Sequence, residues 1–232
     1  MPHSILPILL TALACVVAAA AGIGLFAASV MYPAVPRPRG GAPVIACVGD
    51  SITYGWGIKK RRKNSYPAQL QRLLGNTFQL LNYGLSNRTL QDEGDMPYRR
   101  NKLYSASLTA SPAVVLIMLG TNDLKRRNWD AERFEKALSE LVRIYKELPC
   151  APKVFLLNPP PIYQKKNTEK TYRGVLTEVL LPIFERVAEK EQIGIIDTYS
   201  PMQKPELYWD GLHPTAEGAR VMAEVIAPYI QP

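Results

Sequence analysis

The sequence predicts an α/β domain built on a five-stranded parallel sheet that helices cover on both faces. Five short apolar runs alternate with helical patterns from residue 43 to the end of the sequence. Such alternation is typical of parallel sheets with crossover helices, and right-handed crossovers make the arrangement doubly wound. A long hydrophobic segment, predicted to be helical, precedes this domain.

The five predicted strands are short runs rich in apolar residues. The third, AVVLIML at 113–119, is uniformly apolar, as expected of a strand that is covered on both faces. The other four are PVIACV (43–48), FQLLNY (78–83), KVFLLNP (153–159) and IGIIDT (193–198).

The predicted helices carry start signals, stop signals and one clear periodic pattern. Ser65 can cap a helix that has Pro67 near its start and Gly75 past its end. Asp130 can cap a later helix, in which apolar residues recur at steps of four and three: Phe134, Leu138, Leu141, Tyr145 and Leu148. Further helices are predicted between the second and third strands, over roughly 170–192, and from about Thr215 onward.

Residues 1–36 contain no Asp, Glu, Lys or Arg, and they are almost wholly apolar from Ile5 to Met31. Because a helix needs about 20 apolar residues to cross a bilayer, this segment is interpreted as a membrane anchor, with a cleaved signal peptide as the alternative. The Pro- and Gly-rich residues 37–43 then form a linker, and residues 44–232 form the folded domain.

The formal net charge of +8 includes five consecutive basic residues, Lys59 to Lys63. No nucleic-acid-binding motif accompanies them, so solvated loops are the simpler interpretation, and attraction to an anionic lipid or substrate is the alternative. The cysteines lack the CxxC spacing of zinc and dithiol sites. Cys47 and Cys150 are expected to be free thiols rather than a disulfide.

Chemically capable residues follow the ends of four predicted strands, where ligands bind in sheets of this kind. They are Gly49, Asp50 and Ser51 after the first strand, Gly84 after the second, Gly120, Thr121, Asn122 and Asp123 after the third, and DGLHP (210–214) after the fifth.

These residue types suit acyl transfer through a serine. The Ser51 hydroxyl needs a base, and His213 is the single histidine of residues 44–232. Asp210, three residues earlier, can hold the imidazole. The backbone N–H groups of Ser51 and Gly84 and the side-chain amide of Asn122 are predicted to stabilise the oxyanion, and Gly84 is expected to lack a side chain because substrate approaches it closely.

Several neighbouring residues are predicted to line the substrate cleft: Asp50, Trp56, Arg88, Thr121 and Asp123. For Asp50, capping of a helix is the alternative role. A metal site at Asp210 and His213 is disfavoured because the domain has no second histidine.

The blocks GDSITYG, NYG, GTND and DGLHP together resemble the SGNH hydrolases, also called GDSL-type esterases and lipases. The resemblance extends from about Val44 to Ile230 and departs mildly at Ile52, where the family pattern has leucine. It implies a flavodoxin-like three-layer α/β/α sandwich and ester hydrolysis by Ser51, His213 and Asp210 without a cofactor or metal.

The location of the domain is predicted from two opposing signals. Arg37 and Arg39 after the hydrophobic segment favour a cytoplasmic domain. Enzymes of the family that the chain resembles are commonly exported, so a membrane-anchored extracytoplasmic domain is expected, or a secreted one if the segment is cleaved.

The first-choice substrate is a small-acyl ester, in particular an acetyl group on a carbohydrate, because the loop at 86–104 mixes Arg, Asp and Tyr. This loop and the loop at 159–169 are expected to form the cleft walls, with Trp56 and Trp129 at the rim. The alternatives are a lysophospholipase-type lipase at a membrane surface, a membrane-tethered glycan-binding protein without turnover, and acyl transfer to a sugar instead of water. The sequence predicts no oligomeric state.

Overall fold

The computed structural model describes residues 10–11, 13–22, 33–163 and 173–230, which belong to two compact units, Met1–Ala34 and Val35–Pro232. In the first unit, residues 10–11 and 13–22 are helical. Within the described ranges no helix has both the length and the apolar character needed to cross a bilayer. Much of the anchor predicted at 1–36 lies outside those ranges, so the anchor stays a prediction.

The second unit contains five parallel strands in the order β2-β1-β3-β4-β5. They are β1 (Val44–Gly49), β2 (Gln79–Gly84), β3 (Pro112–Met118), β4 (Lys153–Leu157) and β5 (Gly194–Ile196). Gly49 pairs with Gly84 on one side and with Met118 on the other, so β2, β1 and β3 end level with one another. The predicted five-stranded parallel sheet is therefore confirmed, with each strand within a few residues of its predicted position.

Seven α-helices of four or more residues accompany these strands in the described part of the second unit, besides a three-residue turn of helix at Arg173–Val175. They are α1 (Ser51–Tyr54), α2 (Arg61–Asn64), α3 (Tyr66–Leu74), α4 (Lys102–Thr109), α5 (Ala131–Lys146), α6 (Leu181–Glu191) and α7 (Ala216–Ile230). Ser65 stands at the N-cap of α3, and the Asp130 side chain caps α5 by accepting from the Arg133 N–H at 2.9 Å. A helical turn and a π-helix over Leu176–Leu180 lead into α6.

Two hydrophobic clusters, one on each face of the sheet, make the unit a three-layer α/β/α sandwich. Alternate residues of β1 divide between them, with Ala46 and Val48 on one face and Ile45 and Cys47 on the other. Helices α5 and α6 cover the first face, and α3 and α7 cover the second. Sheets of this order bind ligands beyond the carboxyl ends of their strands.

The chain before β1 is fastened to the edge of the sheet. The backbone N–H of Arg39 donates to Gln79 Oε1 at 2.7 Å, and Gln79 Nε2 donates to the Arg39 carbonyl at 2.8 Å. Two residues of the segment that the sequence indicates as a linker, Arg39 and Pro43, thus bond to Gln79 at the start of β2. Cys47 is buried, Cys150 is exposed, and both are free thiols.

Candidate active site

Ser51 lies at the first position of α1, directly beyond the end of β1. The Asp50 side chain caps this helix, because its Oδ1 accepts from the Ile52 N–H at 2.9 Å. Helix α1 ends at Gly55, whose φ of 85° lies in the left-handed region that glycine tolerates. The short helix therefore turns back over the sheet immediately after the serine, which is 7% exposed.

Asp210 and His213 belong to one tight turn before α7. Asp210 Oδ1 accepts from the backbone N–H groups of Leu212 at 2.9 Å and His213 at 2.7 Å. Gly211 supplies the positive φ of 82° that the turn needs. The Trp209 N–H donates to the His213 carbonyl at 3.1 Å and closes the turn.

The structure brings Ser51, His213 and Asp210 into one hydrogen-bonded chain. Ser51 Oγ lies 2.9 Å from His213 Nε2, and His213 Nδ1 lies 2.7 Å from Asp210 Oδ2. Because an ionised carboxylate can only accept, Nδ1 carries the proton and Nε2 is free to accept from the serine hydroxyl. Burial alone would raise the pKa of Asp210, but the hydrogen bonds from the His213 ring and backbone outweigh it and hold that pKa below its usual value.

Asn122, beyond the end of β3, connects the loops that follow β1 and β2. Its Nδ2 lies 3.3 Å from Asp50 Oδ2 and 3.1 Å from the Arg88 carbonyl oxygen. Burial raises the pKa of Asp50 to about 6, against the opposing effect of the Ile52 N–H. Asp50, predicted in the cleft, is 1% exposed and faces this buried network.

Asp123 lies beneath the loop that follows β2. Its carboxylate accepts from the backbone N–H groups of Leu90 at 2.9 Å and Gln91 at 3.0 Å, and the residue is fully buried. Burial raises the pKa of Asp123 to about 7, although these donors favour its charged form. Gln91 Nε2 also donates to the Asn128 carbonyl at 2.9 Å. Asp123 therefore fastens the loop, and its side chain is not on the cleft surface.

Gly84 is surrounded differently from the sequence-based expectation. Its N–H donates to Asn82 Oδ1 at 2.8 Å, and a side chain at this position would overlap the backbone of Thr53 and Tyr54. The close neighbour that requires glycine is thus α1, and the expected close approach of substrate is not needed to explain it. The role of the Gly84 N–H as an oxyanion donor stays a prediction, beside those of the Asn122 amide and of the Ser51 N–H, which has no intrahelical acceptor at the start of α1.

None of the remaining predicted cleft residues is fully exposed. Trp56 is half-buried, and Arg88 and Thr121 are buried. Trp129 packs on Phe134 with ring centroids 5.5 Å apart, as part of the core.

The predicted cleft loops differ in how much of them the structure describes. Charged residues of the loop at 86–104 bind each other and their neighbours, since Arg99 pairs with Asp92 at 2.6 Å and Glu140 at 3.2 Å. The other predicted wall, at 159–169, is described only as far as residue 163.

One aromatic residue of the site was not predicted. The Trp209 ring stacks on the His213 ring, with centroids 6.0 Å apart and planes inclined by 19°, and the residue is 52% exposed. Its place immediately before Asp210 was the available signal, but adjacency in sequence does not specify which ring a tryptophan will cover.

The chain combines a doubly wound parallel sheet with a serine, a histidine and an aspartate that are joined by hydrogen bonds beyond the strand ends. This combination is typical of the class of serine hydrolases. The sequence pattern specifies the family within that class. The profile of the GDSL-like lipase/acylhydrolase family matches residues 47–221, and the chain belongs to this family.

Individual relatives agree with this assignment. The chain is 37% identical over 217 residues to an acetylxylan esterase of Xylanibacter ruminicola. The match covers 85% of this chain but only 45% of the length of that relative. A carbohydrate acetylesterase family member from Sinorhizobium meliloti superposes with a TM-score of 0.67 at 24% identity, over 81% of this chain and 97% of the other. The aryl esterase of M. smegmatis gives 0.68 at 25% identity, over 82% and 98%.

Proposed function

We propose that the chain is a serine esterase that removes small acyl groups, acetyl in particular, from carbohydrate esters. The observation that carries the mechanism is the unbroken hydrogen-bond chain from Ser51 through His213 to Asp210. The similarity to an acetylxylan esterase supports the acetyl group and the carbohydrate. No metal or cofactor is needed for the steps that follow.

The reaction proceeds in two steps. Ser51 Oγ attacks the ester carbonyl while His213 Nε2 takes its proton, and His213 then gives that proton to the leaving alcohol. Water, deprotonated by the same nitrogen, attacks the acyl-serine, and His213 gives that proton to Ser51 Oγ as the acid leaves. Asp210 stays ionised and stabilises the imidazolium in both steps.

The oxyanion of each step is assigned to the Ser51 N–H and the Asn122 amide. Both amide hydrogens of Asn122 have protein acceptors in the ligand-free chain, and the bond to Asp50 is the longer one at 3.3 Å. A developing oxyanion would compete best for that hydrogen, because the transition state carries the charge that the donor favours.

The test is turnover of acetylated xylooligosaccharides, ethyl acetate and a graded series of longer acyl esters by the wild type, Ser51→Ala and Asn122→Ala. We expect acetyl esters to be preferred, Ser51→Ala to be inactive, and Asn122→Ala to lose about 10²-fold or more in kcat. Asn76→Ala, at an exposed position, is the control. Activity of Ser51→Ala near that of the wild type would overturn the mechanism. A preference for long chains would favour the lipase alternative, and acylated sugar products would favour transfer.

A further inference from the structure

We propose that Trp209 is the platform on which the sugar ring of the substrate lies, and so determines the alcohol that this esterase accepts. The inference rests on the proposed function and names the part of the molecule that recognises the carbohydrate. It starts from an apolar side chain that remains 52% exposed next to the histidine of the site.

The position of Trp209 indicates that it contacts the alcohol part of the ester and not the acyl part. His213 Nε2, which lies 2.9 Å from Ser51 Oγ, must deliver a proton to the leaving oxygen. The alcohol must therefore extend past the imidazole, whereas the carbonyl oxygen points toward the donors of Ser51 and Asn122. Since the Trp209 ring stacks on that imidazole, it borders the path of the leaving alcohol.

The indole is held in place before any ligand arrives. Its Nε1–H donates to the Trp56 carbonyl at 3.4 Å. Gly57 lies against the same edge, because a side chain there would overlap Nε1 and the adjacent ring carbons of Trp209. Gly57 also has a φ of 78°, which favours glycine. A ring that is already ordered costs little conformational entropy on binding.

A pyranose ring fits such a surface. Its C–H groups form an apolar face that can lie on the electron-rich face of an indole, and its hydroxyl groups at the ring edge stay in water. Covering the exposed part of Trp209 removes apolar surface from water, which contributes favourably to the free energy of binding. A short alkyl alcohol is too small to gain from this contact.

The first experiment compares kcat/KM for acetylated xylooligosaccharides and for ethyl acetate. Trp209→Ala should lower the value for the sugar ester by about tenfold or more relative to any change in the value for ethyl acetate. Trp209→Phe should restore part of the loss. Gly57→Ala, which displaces the indole without touching the reacting atoms, should resemble Trp209→Ala. Tyr229→Ala, at an exposed aromatic residue of α7, is the control.

A parallel loss on both substrates would overturn the proposal and make Trp209 a residue that positions His213. No loss on either substrate would also overturn it.

A second experiment separates this proposal from the proposed function. Xylotriose without acetyl groups is titrated into the Ser51→Ala chain, and the indole N–H signals are followed by NMR with Trp209→Ala as the assignment. A shift of the Trp209 signal supports the platform even if the wild type hydrolyses no sugar ester, in which case only the proposed function fails. Turnover of sugar esters with no shift and no selective loss in Trp209→Ala rejects the platform alone.

Discussion

Asp210 uses its two carboxylate oxygens for different tasks. Oδ1 accepts two backbone N–H groups that form the turn, and Oδ2 accepts the His213 Nδ1 proton. Both tasks need only an acceptor, but an amide in place of the carboxylate could present N–H to the imidazole and stabilise the wrong tautomer.

We therefore expect Asp210→Asn to fold and to lose kcat by about 10⁴-fold, the loss found for the same change in another serine hydrolase. Stopped-time assays of acetyl-ester hydrolysis, with circular dichroism as the check on folding, measure it. Asp197→Asn is the matched control, because Asp197 Oδ1 also accepts the two backbone N–H groups of a turn, those of Tyr199 and Ser200. A small effect at Asp210 would show that the acid is dispensable.

Asp50 should make stability depend on pH in the opposite sense to most carboxylates. Its pKa rises from about 3.9 in the unfolded chain to about 6 in the folded one, because burial disfavours the charge. Between these values the folded state binds more protons than the unfolded state, so the free energy of unfolding falls as pH rises. The resulting loss of stability is complete at pH values above the folded-state pKa.

Asp50→Asn removes this titration. We expect the melting temperature of the variant relative to that of the wild type to increase steadily from pH 4 to pH 7, whatever constant offset the new amide introduces. Asp197, whose pKa is lowered although burial opposes the shift, supplies the comparison, since the relative stability of Asp197→Asn should change only below pH about 4. A difference for Asp50→Asn that does not vary with pH contradicts the argument.

At this scale the sequence predicted the residues whose chemistry has few substitutes. Residues 44–232 contain one histidine, and a histidine base needs a hydroxyl to deprotonate and an acid to hold its ring. Ser51 and Asp210 could be chosen for these roles because each follows the end of a predicted strand. The surroundings of Gly84 and Asp123, and the stacking of Trp209 on His213, depend on contacts between segments far apart in the chain. The spacing of residues along the sequence does not indicate those contacts.

The position of Ser51 depends most directly on the packing of α1 against β2. A Cβ at Gly84 would overlap backbone atoms of Thr53 and Tyr54, and neither can move unless the whole helix moves. Since Ser51 is the first residue of that helix, its Oγ would shift relative to His213 Nε2.

We expect Gly84→Ala to lower the free energy of unfolding by about 1–3 kcal/mol, as overpacked cores do, and to lower kcat/KM for acetyl esters. Thermal melts and initial-rate assays measure the two effects. Gly41→Ala is the matched control, because a Cβ there would have no neighbour within 4 Å. Unchanged stability and activity in Gly84→Ala would show that α1 does not fix the serine.

The longer elements were predictable because their patterns repeat. The buried stripe of α5 and the apolar run of β3 each extend over several residues and leave one interpretation. Helices α1 and α2 have four residues each, which is too short for a helical period to be recognised. The existence of α1 follows from the cap at Asp50 and from packing against β2, whereas α2 buries none of its residues and contacts α3 and α7.

At the scale of the whole molecule, the anchor predicted at 1–36 would determine where the chain acts. If the segment spans a bilayer, the full chain should sediment with membranes through washes with high salt and with alkaline carbonate. A chain of residues 37–232 should remain in the supernatant. Release of the full chain by salt alone would instead indicate that its basic surface, and no spanning helix, attaches it. Fractionation followed by immunoblotting checks this.

The two hydrogen bonds of His213 differ greatly in the length of chain that each one closes. Its partner Asp210 is three residues away, whereas Ser51 is 162 residues away. The first contact can form within an isolated turn, but the second exists only while the sheet, α1 and α7 are assembled, because closing so large a loop costs entropy that local structure cannot offset. Covalent labelling of the serine by a fluorophosphonate would therefore report tertiary assembly, and under mild denaturation the labelling rate should decline while helical content is still intact.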